Sequence, residues 1–183
     1  LARGLSLRDG ELEQLEALGT YLNYNGYGES VEDLHFAPED LFARVRPFAS
    51  PLAFIREDQA SFGKLEAGYR EDMAAAEATR PVRASAGSAA FILPGEAWAR
   101  RVSGVYSNDL ANKHPERGHA VLMERRDGTY LVSVRAPLKN KVGADELCRR
   151  FPTGGGRKAA AGINALPAAQ LGDFLAQFAA FYA

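Results

Sequence analysis

The sequence is 183 residues long, 46% hydrophobic and 25% charged, with a formal net charge of −1. This composition belongs to an ordinary globular protein with one substantial core or two small ones, and it excludes disordered and collagen-like chains. No apolar run approaches the roughly 18 residues of a spanning helix, and the N-terminus lacks the basic-then-apolar layout of a signal peptide, so the expectation is a cytoplasmic protein without membrane contact.

Leu12, Leu15, Leu18 and Leu22 recur at helical spacing and predict a helix from Glu11 to Leu22, followed by a polar loop holding Asn23, Asn25, Gly26 and Gly28. Pro38 at a first-turn position, with Glu39 and Asp40 behind it and Leu41, Phe42 and Val45 as apolar face, predicts a second helix. Pro47 and Pro51 punctuate the chain after it. From Leu52 to about Thr79, Ile55, Phe62, Leu65, Tyr69 and Met73 keep one stripe, which reads as a long connecting helix or as a coiled-coil seam with imperfect heptads.

Past Pro81 short strands alternate with helices. Ser88 to Leu93 is strand-like, Glu96 to Asn112 helical, and Ala120 to Glu124 with Thr129 to Arg135 flank the hairpin signal Asp127-Gly128. A helix over Gly143 to Phe151, a glycine loop, a strand over Gly162 to Ala165 and a closing helix marked by Leu171, Phe174, Leu175 and Phe178 complete the chain. The predicted fold is α/β: a small mixed sheet with flanking helices over 81–183, preceded over 1–80 by helical segments and the connecting helix.

Every charged residue from Glu11 to Asp40 is acidic, whereas Arg135, Lys139, Lys141, Arg149, Arg150, Arg157 and Lys158 face only Asp145 and Glu146 between them. Affinity for anions is therefore C-terminal, although Lys139, Lys141, Arg149 and Arg150 also read as solvated helix faces. Cys148 is the one cysteine and reads as a core thiol. His35, His114 and His119 have no Cys or Asp at ligand spacing, so neither a metal site nor a catalytic residue is assigned.

Gly154, Gly155 and Gly156 give a backbone free of side chains, able to converge on an oxyanion, and Arg157 and Lys158 follow at once. Ala159 to Gly162 suit a short helical turn directed at the same anion; the alternative is a purely structural turn. Arg135, at the end of a strand leading toward the loop, could fork onto a phosphate or pair with Glu146 or Asp145. Ser107 and Asn112 are candidate donors to base or sugar, or else cap the helix and face water.

The strand Leu131-Val132-Ser133-Val134-Arg135, the helix Ala144 to Phe151 and the run Gly154-Gly155-Gly156-Arg157-Lys158-Ala159-Ala160-Ala161-Gly162 together resemble the C-terminal DHH-associated domain of DHH-family phosphoesterases, with its Ser-x-Arg strand, helix and GGGHxxAAG loop. Tyr106 to Asn112 is similar to the polar helix end that precedes the central hairpin there. The resemblance implies a two-domain metal-dependent enzyme cleaving phosphodiester or phosphoanhydride bonds. An N-terminal DHH domain would hold manganese or a similar divalent metal, and the associated domain would close over a nucleotide or oligonucleotide. This sequence has no Asp-His-His or Asp-x-Asp motif, and Arg157 stands where the family has histidine.

The chain, which starts at Leu1 without methionine, is thus expected to be the substrate-binding part of a longer enzyme and not to catalyse alone. The alternative is a non-catalytic RNA-binding module resembling the C-terminal domain of alanyl-tRNA synthetase, whose glycine loop also continues into arginine. A dimerisation domain with glycines for close packing is a third reading. The sequence does not fix the oligomeric state.

Overall fold

Helix α1 (Glu11–Asn25) runs three residues past its expected end, because Asn25 is a structural residue and not part of a polar loop. Only 2% exposed, its side chain accepts from the N–H groups of His35 and Phe36 and donates to the Phe36 carbonyl, which folds the next segment back onto the helix. The computed structural model describes residues 7–183. Helix α2 (Pro38–Val45) starts on its proline with Glu39 and Asp40 in the first turn; of its expected apolar face Leu41 is buried, whereas Phe42 is 65% exposed.

The long connecting helix is two helices, α3 (Pro51–Glu57) and α4 (Gln59–Glu77). Asp58 breaks it: the residue leaves helical geometry at φ −111° and ψ 62°, and its carboxylate accepts from the Ser61 N–H at 3.0 Å as the cap of α4. The apolar stripe survives the break, since Phe54, Ile55, Leu65, Met73 and Ala76 are all buried.

The remainder is a mixed six-stranded sheet, β1 (Arg83–Ala84), β2 (Ser88–Leu93), β3 (Gly118–Glu124), β4 (Thr129–Arg135), β5 (Gly154–Arg157) and β6 (Ala160–Pro167), in the order β1-β2-β3-β4-β6-β5. Only β2 and β3 are parallel, joined by helix α5 (Ala97–Lys113); the other pairs are antiparallel. The β3–β4 turn forms at Asp127-Gly128, with Gly128 at φ +78° and the Asp127 carboxylate accepting from the Thr129 N–H and hydroxyl. One face of the sheet, with Leu122, Val132, Val134 and Ile163, packs on α6 (Ala144–Cys148) and α7 (Leu171–Phe181). The other face carries α5, where Ala89, Phe91, Leu93 and Val121 meet Val102, Tyr106 and Leu110.

The glycine run and the expected helical turn behind it are strands. Gly155 pairs with Gly162 and Arg157 with Ala160, so Lys158 and Ala159 are the tip of a hairpin. Packing decides this: a Cβ at Gly154 would stand 1.8 Å from the Cys148 carbonyl oxygen, and one at Gly162 2.6 Å from that of Val132. The small residues admit close backbone approach, of Gly154 to the end of α6 and of Gly162 to β4, and do not start a helix.

Two arginines of α5 tie the helical region to the sheet. Arg100 forks onto Asp33, with both side chains 6% exposed, and donates to the Gly95 carbonyl. Arg101 forks onto Asp72 of α4, which also accepts from the Tyr24 hydroxyl, and donates to the Asp33 carbonyl. The Arg100 guanidinium holds the Asp33 carboxyl far below the usual carboxylate range.

Candidate functional site

Strand alternation places Ser133 and Arg135 of β4, Ala160 and Gly162 of β6, and Gly155 and Arg157 of β5 on the sheet face that carries α5. Two cross-strand rows result. Ser133, Gly162 and Gly155 form one, a floor with almost no side chains; Arg135, Ala160 and Arg157 form the next, with the two arginines one strand apart on either side of an alanine. Their backbones are about 10 Å apart, within reach of two long guanidinium arms working on one ligand.

The three glycines have different roles. A Cβ at Gly156, which sits at φ +141°, would meet Ala161 Cα at 2.5 Å, and Gly154 abuts Cys148. Over Gly155 there is nothing within 4 Å, so it opens onto the floor. The hairpin tip is pinned: the Lys158 carbonyl accepts from Ala144 N–H and the Ala159 carbonyl from Ala136 N–H, each at 3.0 Å. That fixes the origin of the Arg157 side chain, while Arg157 and Lys158 themselves are exposed.

Arg135 is half-buried. It donates to Asn108 Oδ1 at 2.9 Å, to the Ser133 hydroxyl at 2.9 Å and to the Val134 carbonyl, and among the described residues it has no acidic partner. The carboxylates that the sequence offered it are taken, Asp145 by Arg149 and Glu146 by Arg150. Burial pulls the Arg135 guanidinium below its ordinary value; the nearby Tyr27 hydroxyl opposes this and the charge of Arg157 adds to it. A partly desolvated cation repelled by a second cation and held by neutral groups favours an anion.

Ser107 and Asn112 are not brought to this cluster. Ser107 is 1% exposed and donates inside α5 to the Ser103 carbonyl at 2.7 Å, and Asn112 is exposed with no hydrogen bond to Arg135. Asn108, one turn before Asn112, makes that contact instead, joined by Ser133, which the sequence offered as part of the Ser-x-Arg strand and not as a site residue, and by Tyr27. A signal for Asn108 was its i, i+4 relation to Asn112 on one helix face; Tyr27 carried none, since only the fold places α1's end above β4.

His114 and His119 stack with ring centroids 6.1 Å apart, and His35 Nε2 lies 2.8 Å from the Tyr24 hydroxyl. Neither ring nitrogen of the fully buried His119 has a partner, and burial, with His114 and Arg117 beside it, pushes its pKa down to about 4. Cys148 is fully buried and its thiol is pushed up to about 12. Among the described residues no three His, Cys, Asp or Glu side chains are grouped to hold a metal ion, and no helix is long and apolar enough to cross a membrane.

The architecture and the arginine-flanked glycine floor define a mixed-sheet α/β module, and solved structures share its fold. A DHH-domain protein described as belonging to a family of ribosomal proteins superposes with TM-score 0.57 at 12% identity, over 96% of this chain and 42% of that one. RecJ of Thermus thermophilus in complex with Mg2+ superposes with TM-score 0.51 at 19% identity, over 91% of this chain and 28% of that one, and its Mn2+ complex equally well. No protein-family model and no curated protein sequence matches the chain. The fold is therefore that of part of the DHH-domain proteins, and this chain spans less than half the length of these relatives.

Proposed function

We propose that this chain is the substrate-binding part of a DHH-family phosphoesterase acting on nucleotides or oligonucleotides, with residues 81–183 as the DHH-associated domain and 1–80 as the end of the catalytic domain and its connection. The phosphate lies over Gly155 and Gly162, with Arg157 and Arg135 on either side. The observation that carries this reading is Arg135, half-buried, repelled by Arg157 and given only neutral partners, on a sheet face that is open over Gly155. Metal-assisted attack on phosphorus needs carboxylates and imidazoles around an ion. The described residues do not supply that set, so the reading assigns manganese or a similar divalent metal to the DHH domain outside residues 1–183, and binding and orientation to this chain.

The test is binding of a short single-stranded oligonucleotide to the full-length protein across a salt series. Arg157→Ala removes a charge-assisted bond and should weaken binding by about 1.5–3 kcal/mol, with a salt slope flatter by about 0.7 for each phosphate no longer neutralised. Unchanged affinity together with an unchanged slope would leave the glycines as packing alone.

A further inference from the structure

A cavity of about 350 Å³ opens on the same sheet face, further along β4 from Arg135. Its size falls in the ~300–1,000 Å³ range of small-ligand clefts. Leu131 lies on its floor two residues before Ser133, so the cavity begins about 7 Å from the glycine row. The irregular register of β4 and β6 between Tyr130 and Val132 adds a residue to β6 here, and Asn164 lines the cavity. Tyr27 forms the wall: its ring rests 3.5–3.6 Å from where a Cβ of Gly104 would stand, and its hydroxyl is near Arg135.

Two features ask for a planar, polar-edged ligand. Tyr27 and Leu131 are 42% and 37% exposed, large apolar surfaces that line one opening. At the rim Arg125 donates to Glu29 at 3.1 Å and to the Asn164 carbonyl at 3.1 Å, a half-exposed acid–base pair held in place from both sides.

We propose that this cavity is a nucleobase subsite selective for guanine, in which the base lies between Tyr27 and Leu131 and its edge is read by Glu29 and Arg125. This deepens the phosphate-binding reading and rests on it, because the base enters from a nucleotide whose phosphate sits over Gly155 and Gly162. Guanine alone presents two adjacent donors, N1–H and the 2-amino group, beside the O6 acceptor; a carboxylate accepts from the donors and a guanidinium donates to O6. Adenine and cytosine put an acceptor where guanine has N1–H, and that lone pair would face the Glu29 carboxylate.

The experiment measures binding of GMP, AMP, CMP and ribose 5-phosphate to the full-length protein by calorimetry. GMP should bind about tenfold or more tightly than AMP or CMP, and more tightly still than ribose 5-phosphate. Glu29→Gln should bring GMP to near parity with AMP while ribose 5-phosphate is unaffected. Tyr27→Ala should weaken all three nucleotides by about tenfold, the loss expected of base–aromatic stacking, and by clearly more than it weakens ribose 5-phosphate. Both side chains are on the surface, and unchanged melting temperatures verify that the variants fold. If ribose 5-phosphate binds and GMP binds no more tightly, the phosphate site stands and the subsite is overturned. If all nucleotides bind more tightly than ribose 5-phosphate but equally to one another, the guanine selectivity is overturned. If none of the four binds, both readings fall.

Discussion

Three adjacent glycines, alike in the sequence, separate into packing and ligand roles. Gly154→Ala would drive a Cβ into the Cys148 carbonyl, whereas Gly155→Ala meets nothing within 4 Å and needs no positive φ. We therefore expect Gly154→Ala to destabilise the protein by more than about 2 kcal/mol in denaturant unfolding, on the order of a severe steric substitution. Gly155→Ala should leave stability unchanged and weaken phosphate binding; equal stability losses in both would remove the distinction. Arg135→Lys keeps the charge but loses the fork, and should weaken binding by about 1–3 kcal/mol with little change in unfolding, because no buried acid is left unpaired. His119 has a different signature. Neutral in the fold down to about pH 4 but titrating near 6.5 when unfolded, it leaves the unfolded state holding more protons between those values. Its contribution is complete above pH 6.5, falls as the pH drops toward 4 and levels off below, a loss of about 3 kcal/mol. The difference between the unfolding curves of the protein and His119→Leu at pH 7, 5.5 and 4 isolates this contribution, and parallel pH profiles would contradict it.

At the scale of elements, hydrophobic periodicity located the main helices and four of the six strands, β1 and β5 excepted, because burial on one face leaves a repeat of 3.6 or 2 in the residues themselves. Periodicity missed the break at Asp58, where the apolar stripe continues in phase across two helices and only the cap bond to Ser61 marks the new start. Asp58→Ala should cost about 1 kcal/mol of stability, and Asp58→Ser should recover most of it in thermal unfolding. The strand β5 was hidden for a different reason. Glycines are poor strand residues by propensity, and the close approaches that require them, of Gly154 to the Cys148 carbonyl at the end of α6 and of Gly162 to the Val132 carbonyl of β4, exist only in the fold. Of the candidate site, Ser133, Arg135, the glycines and Arg157 stand in contiguous motifs, whereas Asn108 and Tyr27 meet Arg135 only when helix α5 and the segment after α1 close on the sheet.

Across the whole molecule, the helical region is held to the sheet that carries the site by shared packing and by buried charge. Tyr24, Met73 and Ala76 pack among residues of β2, β3 and α5 in one hydrophobic cluster, and the ion pairs Asp33–Arg100 and Asp72–Arg101 stand beside it. Burial makes such pairs costly to break from one side: an unpaired buried carboxylate loses both its partner and its water. Arg100→Met, close in length and apolar, should therefore destabilise the protein by about 3–5 kcal/mol, and adding Asp33→Leu should recover a large part of that loss. The loop from Gly26 to Asp33 bears Tyr27 and Glu29, and Asp33 also accepts from the Glu29 N–H at 2.8 Å, so the same carboxylate orders the cavity wall. The double variant should thus regain stability without regaining nucleotide affinity, while ribose 5-phosphate, held by Arg135 and Arg157, should bind as before. Denaturant unfolding and calorimetry on the same four proteins of the cycle read the two effects separately. Full recovery of nucleotide affinity in the double variant would show that Asp33 acts only as a partner for Arg100 and does not hold the wall.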